Sequence, residues 1–186
     1  MIRLLNSSAE TAAAMTAIGT DIRRIFGQEV KTEELRLEFL QALDQSRKQY
    51  SSGILLSQVL AHANDEYEKR IAVVDVDLFV PVLTFVFGEA QFQGPAAIVS
   101  LHRLGNEFYG LRKDDGLMQS RLTKEIVHEL GHTFGLTHCR QFECVMRSST
   151  YVEEIDLKRD DFCERCRAQL FKTSTNSILN QPEHRT

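Results

Sequence analysis

From Leu117 to Gly135 the apolar residues Leu122, Ile126, Leu130 and Phe134 recur every fourth position, which predicts a long helix with one buried stripe. The helix carries His128 and His132, four apart, so both rings project from one face about one turn from each other and can grip a single ion. Glu129 stands between them and can reach a water on that ion without being a ligand itself. Gly135 permits a sharp turn out of the helix, because glycine takes a positive φ at little cost. Three residues later His138 can swing back as a third ligand. The chain must therefore build a helix, a reversal and a returning segment beneath it. Three protein ligands and a water make the arrangement of a catalytic zinc, whereas a structural zinc is closed by four protein ligands.

The four cysteines of the chain, Cys139, Cys144, Cys163 and Cys166, follow as C-x4-C and C-x2-C pairs, the spacing of a structural tetrathiolate zinc. Two disulfides or four buried thiols are the alternatives. The N-terminal run "MIRLLNSSAE" has no long apolar stretch and no small-residue cleavage site, so a cytoplasmic protein with reduced cysteines is expected. Cys139 adjoins His138, and neighbours in an extended segment point to opposite sides. One side would face the catalytic ion and the other the structural one. His62, His102 and His184 lack ligand spacing and are expected at the surface or in satisfied core positions.

At 186 residues the chain is expected to form a single domain with an upper lobe over about 1–135, a lower lobe over about 136–170 and a polar tail over 171–186. A net charge of −4 gives no general pull toward nucleic acid or an anionic membrane, and no apolar run approaches the roughly 20 residues of a spanning helix. "IRLL" reads as a first strand, and Ala12, Met15, Ile18, Ile22 and Ile25 mark a helix over Ala9–Phe26 that Gly27 ends. A strand is expected from about Val30, then loop through "DQSRKQYSSG", then a helix "GILLSQVLAHAN" capped by Ser51 or Ser52. "RIAVVDVDLF" reads as one strand buried on both faces, and "VLTFVFGEAQ" and "AAIVSLHRL" as two more β-rich runs joined through "FQGP". A short helix over "DDFCERCRAQL" closes the pattern.

The run His128-Glu129-x-x-His132-x-x-Gly135-x-x-His138 resembles the zinc motif of the metzincins, and Met146 resembles the methionine that lies beneath the metal in that clan. With the four cysteines, "RKQYSSGILL", "DVDLFVPVLTFVFGEAQ" and "FCERC", the chain resembles the archaemetzincins from about Gln49 to Leu170. The resemblance implies an α/β (α+β) metzincin-like fold: a twisted, mixed but mainly parallel sheet flanked by helices, an active-site helix and a small C-terminal lobe with a structural zinc. It makes "FVFGEAQ" the antiparallel edge strand above the cleft, open to pairing by a peptide backbone. It also implies a zinc metallopeptidase, with an aminopeptidase preference proposed for some members.

The expectation is thus a zinc-dependent peptidase with two zinc ions per chain. His128, His132 and His138 hold the catalytic ion, and the four cysteines hold the structural one. Glu129 is the general base. Met146 is a packing residue under the site. Tyr151 is a candidate oxyanion stabiliser whose spacing follows no rule. The expected partner is a peptide or protein substrate, with no nucleic acid or membrane, and the enzyme is expected to be a monomer. A non-peptide zinc amidohydrolase shares the same donors, and a non-catalytic zinc scaffold would have no use for Glu129.

Overall fold

The computed structural model describes residues 1–63 and 68–179. The chain opens with β1 (Ile2–Asn6) and α1 (Ala9–Phe26). Ser8 caps α1: its hydroxyl accepts the Thr11 N–H while the Thr11 hydroxyl accepts that of Ser8. Gly27, at φ 64°, ends the helix. β2 (Val30–Glu34) begins where expected.

The segment read as loop is more structured. A single turn, α2 (Phe39–Ala42), leads into β3 (Leu43–Asp44) and β4 (Gln49–Ser51), which pair antiparallel. Asp44 closes the turn between them, accepting the backbone N–H groups of Ser46 and Arg47. The polar composition marks a hairpin turn and not an unstructured connection. Ser51 caps α3 (Ser52–Ala61).

"RIAVVDVDLF" divides into β5 (Lys69–Val74) and β6 (Leu78–Phe79), which join different sheets. Asp77 is held by Arg103 at 2.6 and 2.7 Å and by Gln49 at 2.9 Å, away from the line of β5. Of "VLTFVFGEAQ" only β7 (Gly88–Ala90) is a strand, with Val86 bridged singly to Leu78. Arg47 and Gln49 side chains occupy the Leu83 and Thr84 carbonyls, so that part of the run is held by side chains and not by a ladder.

β8 (Ala96–Ser100) is followed by a 3-10 turn at Asn106–Tyr109 and then by α4 (Asp115–Thr133), whose cap Asp114 accepts the Leu117 N–H at 2.9 Å. A short α5 (Val152–Asp156) was not expected, and α6 (Glu164–Leu179) runs past Leu170 into the segment read as a polar tail. The rest of that tail, with His184, lies outside the described residues.

The main sheet has the order β2-β1-β5-β8-β7, parallel except for the antiparallel β7 at its edge, and β3, β4 and β6 form a second small sheet. Alternation along the inner strands divides the core. Ile71, Val73, Ala97 and Val99 face α1 and α4, while Ala72, Val74, Ala96 and Ile98 face Leu55 and Val59 of α3. Both faces are covered, which is why these strands read as unbroken apolar runs. The result is the expected α/β architecture. Among the described residues no helix is long and apolar enough to cross a membrane.

Candidate metal centres

α4 presses Leu122, Ile126, Val127 and Leu130, all fully buried, into the core beneath the sheet. Its C-terminal turns bring His128 and His132 together, with their Nε2 atoms 3.1 Å apart. The chain leaves the helix at Gly135, φ 86°, and the Leu136 N–H folds back onto the Gly131 carbonyl at 2.9 Å. His138 then returns, and one ligand atom from each of the three rings lies within 4.8 Å of the others. His128 is buried, His132 half-buried and His138 exposed, so the cluster opens on one side.

Backbone carbonyls fix the two helical rings. Nδ1 of His128 lies 2.8 Å from the Val145 carbonyl, and Nδ1 of His132 lies 2.7 Å from that of Leu136. A carbonyl only accepts, so each Nδ1 carries the proton and each Nε2 presents a bare lone pair. Two lone pairs cannot bond each other. At about 3.3 Å, the N···N edge of a tetrahedron with Zn–N near 2.0 Å, a cation is the natural occupant between them. Burial, and then the Lys158 ammonium, depresses the pKa of His128 well below its ordinary value. Burial is also the main cause of the lowering at His132 and His138. Neutral imidazoles are the form a metal takes.

Glu129 is buried on the same turn of α4, and no hydrogen bond of its carboxylate is seen among the described residues. Burial, with the Glu125 carboxylate as a second cause, raises its pKa well above the usual carboxylate range. Its space depends on Gly88 of the edge strand, where a Cβ would come within 2.8 Å of Glu129 Cγ and 2.7 Å of the Ile98 carbonyl oxygen. Gly131 plays the same part underneath: a Cβ there would stand 2.4 Å from Met146 Sδ. Met146 is fully buried, as a packing residue under the helix should be.

The cysteines form the second cluster, with one sulfur from each within 4.8 Å of the others and no disulfide among them. Cys139 and Cys163 lie 3.8 Å apart at Sγ, which is about the S···S edge of a tetrahedron with Zn–S near 2.3 Å. Backbone N–H groups of Gln141 and Cys163 point at the sulfurs of Cys139 and Cys144, each at 3.4 Å. Burial alone would raise the Cys139 thiol, but the Gln141 N–H and the Arg165 guanidinium bring it down to about 7. Burial raises Cys144 and Cys166. The Cys139 N–H donates to the Met146 carbonyl at 2.9 Å, tying the cysteine loop to the segment that supports His128 through Val145.

Three residues here escaped the sequence reading. Gly88 and Gly131 matter through the space they leave, and Gln93 donates its N–H to the His132 carbonyl at 3.0 Å from a left-handed φ of 56°. "QFQG" showed a turn there but not its partner. His62 bonds the Gln58 carbonyl and His102 packs on Phe108, both apart from the cluster. Tyr151 is 66 % exposed, and its hydrogen bonds are made by its backbone, so nothing joins its phenol to the histidines among the described residues.

The chain is similar to known proteins in sequence and in fold. Peptidase family M54 matches residues 25–172 of the chain. Archaemetzincin from Pyrococcus horikoshii is 39 % identical over 142 residues, covering 75 % of this chain and 75 % of the relative. The chain belongs to the archaemetzincins. By that membership it is a zinc metallopeptidase, a hydrolase, which selects the peptidase over the amidohydrolase and scaffold expectations. The structure of a zinc-dependent peptidase from Methanocorpusculum labreanum superposes with a TM-score of 0.83 at 32 % identity, over 91 % of this chain and 100 % of that one. Archaemetzincin from Methanopyrus kandleri follows at 0.82 and 32 %, over 94 % of each.

Proposed function

We propose that His128, His132 and His138 hold a catalytic zinc, that Glu129 is the general base of peptide hydrolysis, and that Cys139, Cys144, Cys163 and Cys166 hold a second, structural zinc. The observation that carries the catalytic assignment is the pair of facing Nε2 lone pairs, their rings locked by the Val145 and Leu136 carbonyls. A zinc ion held there supplies Lewis acidity, polarising the scissile carbonyl and making water acidic near neutral pH. Glu129 takes the proton from the attacking water and delivers it to the leaving amine. With no hydrogen-bond partner among the described residues, its carboxylate is free for both transfers. The four-cysteine cluster keeps the returning segment under α4 and with it the acceptor of His128. In this reading residues to 135 form an upper lobe, and residues from 136 form a lower one.

The free edge of β7 offers backbone groups to an extended peptide. That strand is three residues long, enough to pair with only a few substrate residues, which favours cleavage near a chain end. The end we propose is the amino terminus, the preference that the resemblance to the family implies, so the substrate class is peptides with a free amino terminus. Glu129→Gln tests the chemistry. It should keep both zincs by elemental analysis and lose turnover of short peptides by about a hundredfold or more. Zinc-replete variant cleaving at the parent's rate would sink the general-base assignment. N-acetylated peptides cleaved as fast as free ones would remove the aminopeptidase preference.

A further inference from the structure

The side of α4 that meets α5 buries charge where a core would ordinarily bury hydrocarbon. Arg121 grips Asp156 with two nitrogens, at 2.8 and 2.7 Å, and donates to the Leu104 carbonyl. Lys124 donates to the carbonyls of Ile155 and Asp156 at 3.1 and 3.3 Å. Both cations tie α4 to the segment beneath it, and their role is accounted for. Lys158 is different. Its side chain is 0 % exposed, and its ammonium reaches a single side-chain partner among the described residues, Glu125 Oε1 at 3.4 Å.

A buried ion pair is weak evidence for stability, because an apolar pair of similar volume avoids the desolvation of two charges. Retaining one calls for another role. Glu125 stands four residues before Glu129, so the two buried carboxylates stack about one turn apart on the same helical face. We propose that Lys158 is a positioning residue for the hydrolytic reaction: by holding Glu125, it keeps the first carboxylate off the second and leaves Glu129 turned toward the histidine nitrogens. Without Lys158, Glu125 loses its one side-chain partner among the described residues, and the other cation that acts on it, Lys124, is committed to the Ile155 and Asp156 carbonyls. Without Glu125, Lys158 is a buried cation with no carboxylate in contact among the described residues; Glu129 and Glu154 both feel its charge, and of the two Glu129 is the buried one. Each single loss disturbs Glu129, and loss of both does not.

This inference rests on the hydrolytic reading of the histidine site, so its test needs a measurement independent of peptide cleavage. Acetohydroxamate serves, because a hydroxamate passes a proton to a carboxylate beside the metal as it chelates. Its affinity therefore reports where Glu129 stands. Calorimetric titrations would compare the zinc-loaded parent, Lys158→Met, Glu125→Gln and the double variant, with zinc content measured on each sample and Glu129→Gln setting the scale. Each single variant should retain zinc and bind acetohydroxamate about tenfold more weakly, and the double variant should return to within about threefold of the parent, the coupling expected of residues in contact. Where a short peptide is cleaved, kcat should follow the same pattern with KM changed by less than about twofold. Folded, zinc-replete single variants that bind acetohydroxamate like the parent would overturn the proposal. So would a double variant as impaired as the singles. Glu125→Gln replaces a buried carboxylate by an amide of the same shape and carries the test if Lys158→Met fails to fold. A parent that binds acetohydroxamate but cleaves no peptide would count against the hydrolytic reading, and the comparison of variants would still decide the part played by Lys158.

Discussion

Replacing Gly131 by alanine sets two opposing effects against each other. In a helix interior the change gains about 1 kcal/mol of intrinsic helix propensity, and less near a helix end. The new methyl group, however, would lie 2.4 Å from Met146 Sδ, 3.1 Å from Met146 Cε and 3.3 Å from Phe162 Cε1. Ordinary nonbonded carbon contacts sit at about 3.5–4.0 Å, so sulfur and ring must both give way. A methionine can usually move, but this one is fully buried, and Phe162 is packed edge-on against Phe26. Overpacking of a filled core costs about 1–3 kcal/mol, which outweighs the propensity gain.

The expected net loss is about 1–2 kcal/mol, and at about 2–4 °C per kcal/mol for a chain of this size the melting temperature should fall by about 2–8 °C. The strain also reaches the proposed metal site, because the Met146 carbonyl accepts the Cys139 N–H and Met146 follows directly on the carbonyl that orients His128. Zinc should therefore leave the histidine site faster when challenged with a chelator. Calorimetric melts with and without zinc, together with chelator kinetics, provide the assay. A variant that melts higher than the parent and holds zinc equally well would refute the reasoning. In a Met146→Ala background the same substitution should become neutral or stabilising.

The buried carboxyl of Glu129 has a raised pKa, so it stabilises the fold only while protonated, and that contribution is lost as pH rises through the folded-state value. In metal-free protein Glu129→Gln should therefore melt above the parent at about pH 8, with the difference fading toward about pH 4, and a difference growing in the opposite direction would contradict the burial argument. Cys163→Ser should lower zinc content by one ion per chain and the melting temperature by about 10 °C or more, since metal binding in such a cluster is folding free energy; elemental analysis and melts check both. Gly88→Ala, whose Cβ meets the Ile98 carbonyl at 2.7 Å and Glu129 at 2.8 Å, should keep both metals yet lose about tenfold or more in peptide turnover. Parent-like kinetics there would show that the edge strand yields freely.

Local periodicity made much of this fold legible. α1, α4, β5 and β8 each have a burial pattern written in their own residues, at a period near four on the helices and as unbroken apolar runs in the inner strands. Strand ends were less legible, because distant side chains set them. Arg103 holds Asp77 between β5 and β6, and Arg47 takes the carbonyls that would have lengthened β7. The histidine and cysteine clusters could be read because donor type and spacing are properties of sequence. Their supports could not. The acceptors for His128 and His132 are carbonyls of Val145 and Leu136, and a carbonyl has no residue identity. Gly88 and Gly131 looked like ordinary glycines until the neighbours they make room for were in place. Lys158 sits in the polar run "DLKRDD", where nothing local signals burial, yet its side chain is 0 % exposed.

The order of the parts along the chain has a consequence for synthesis. Every strand of the described residues lies between Ile2 and Ser100, whereas the donor side chains of both clusters lie between His128 and Cys166. A chain emerging from the ribosome, at about 5–20 residues per second, therefore exposes every strand of the described residues before the first histidine of the cluster appears. A product terminated between His138 and Cys163 would carry the three histidines on a returning segment that lacks the second pair of cysteines to anchor it. On the proposed assignment of the two clusters, hydrolytic competence waits until Cys166 has emerged, after every strand of the described residues.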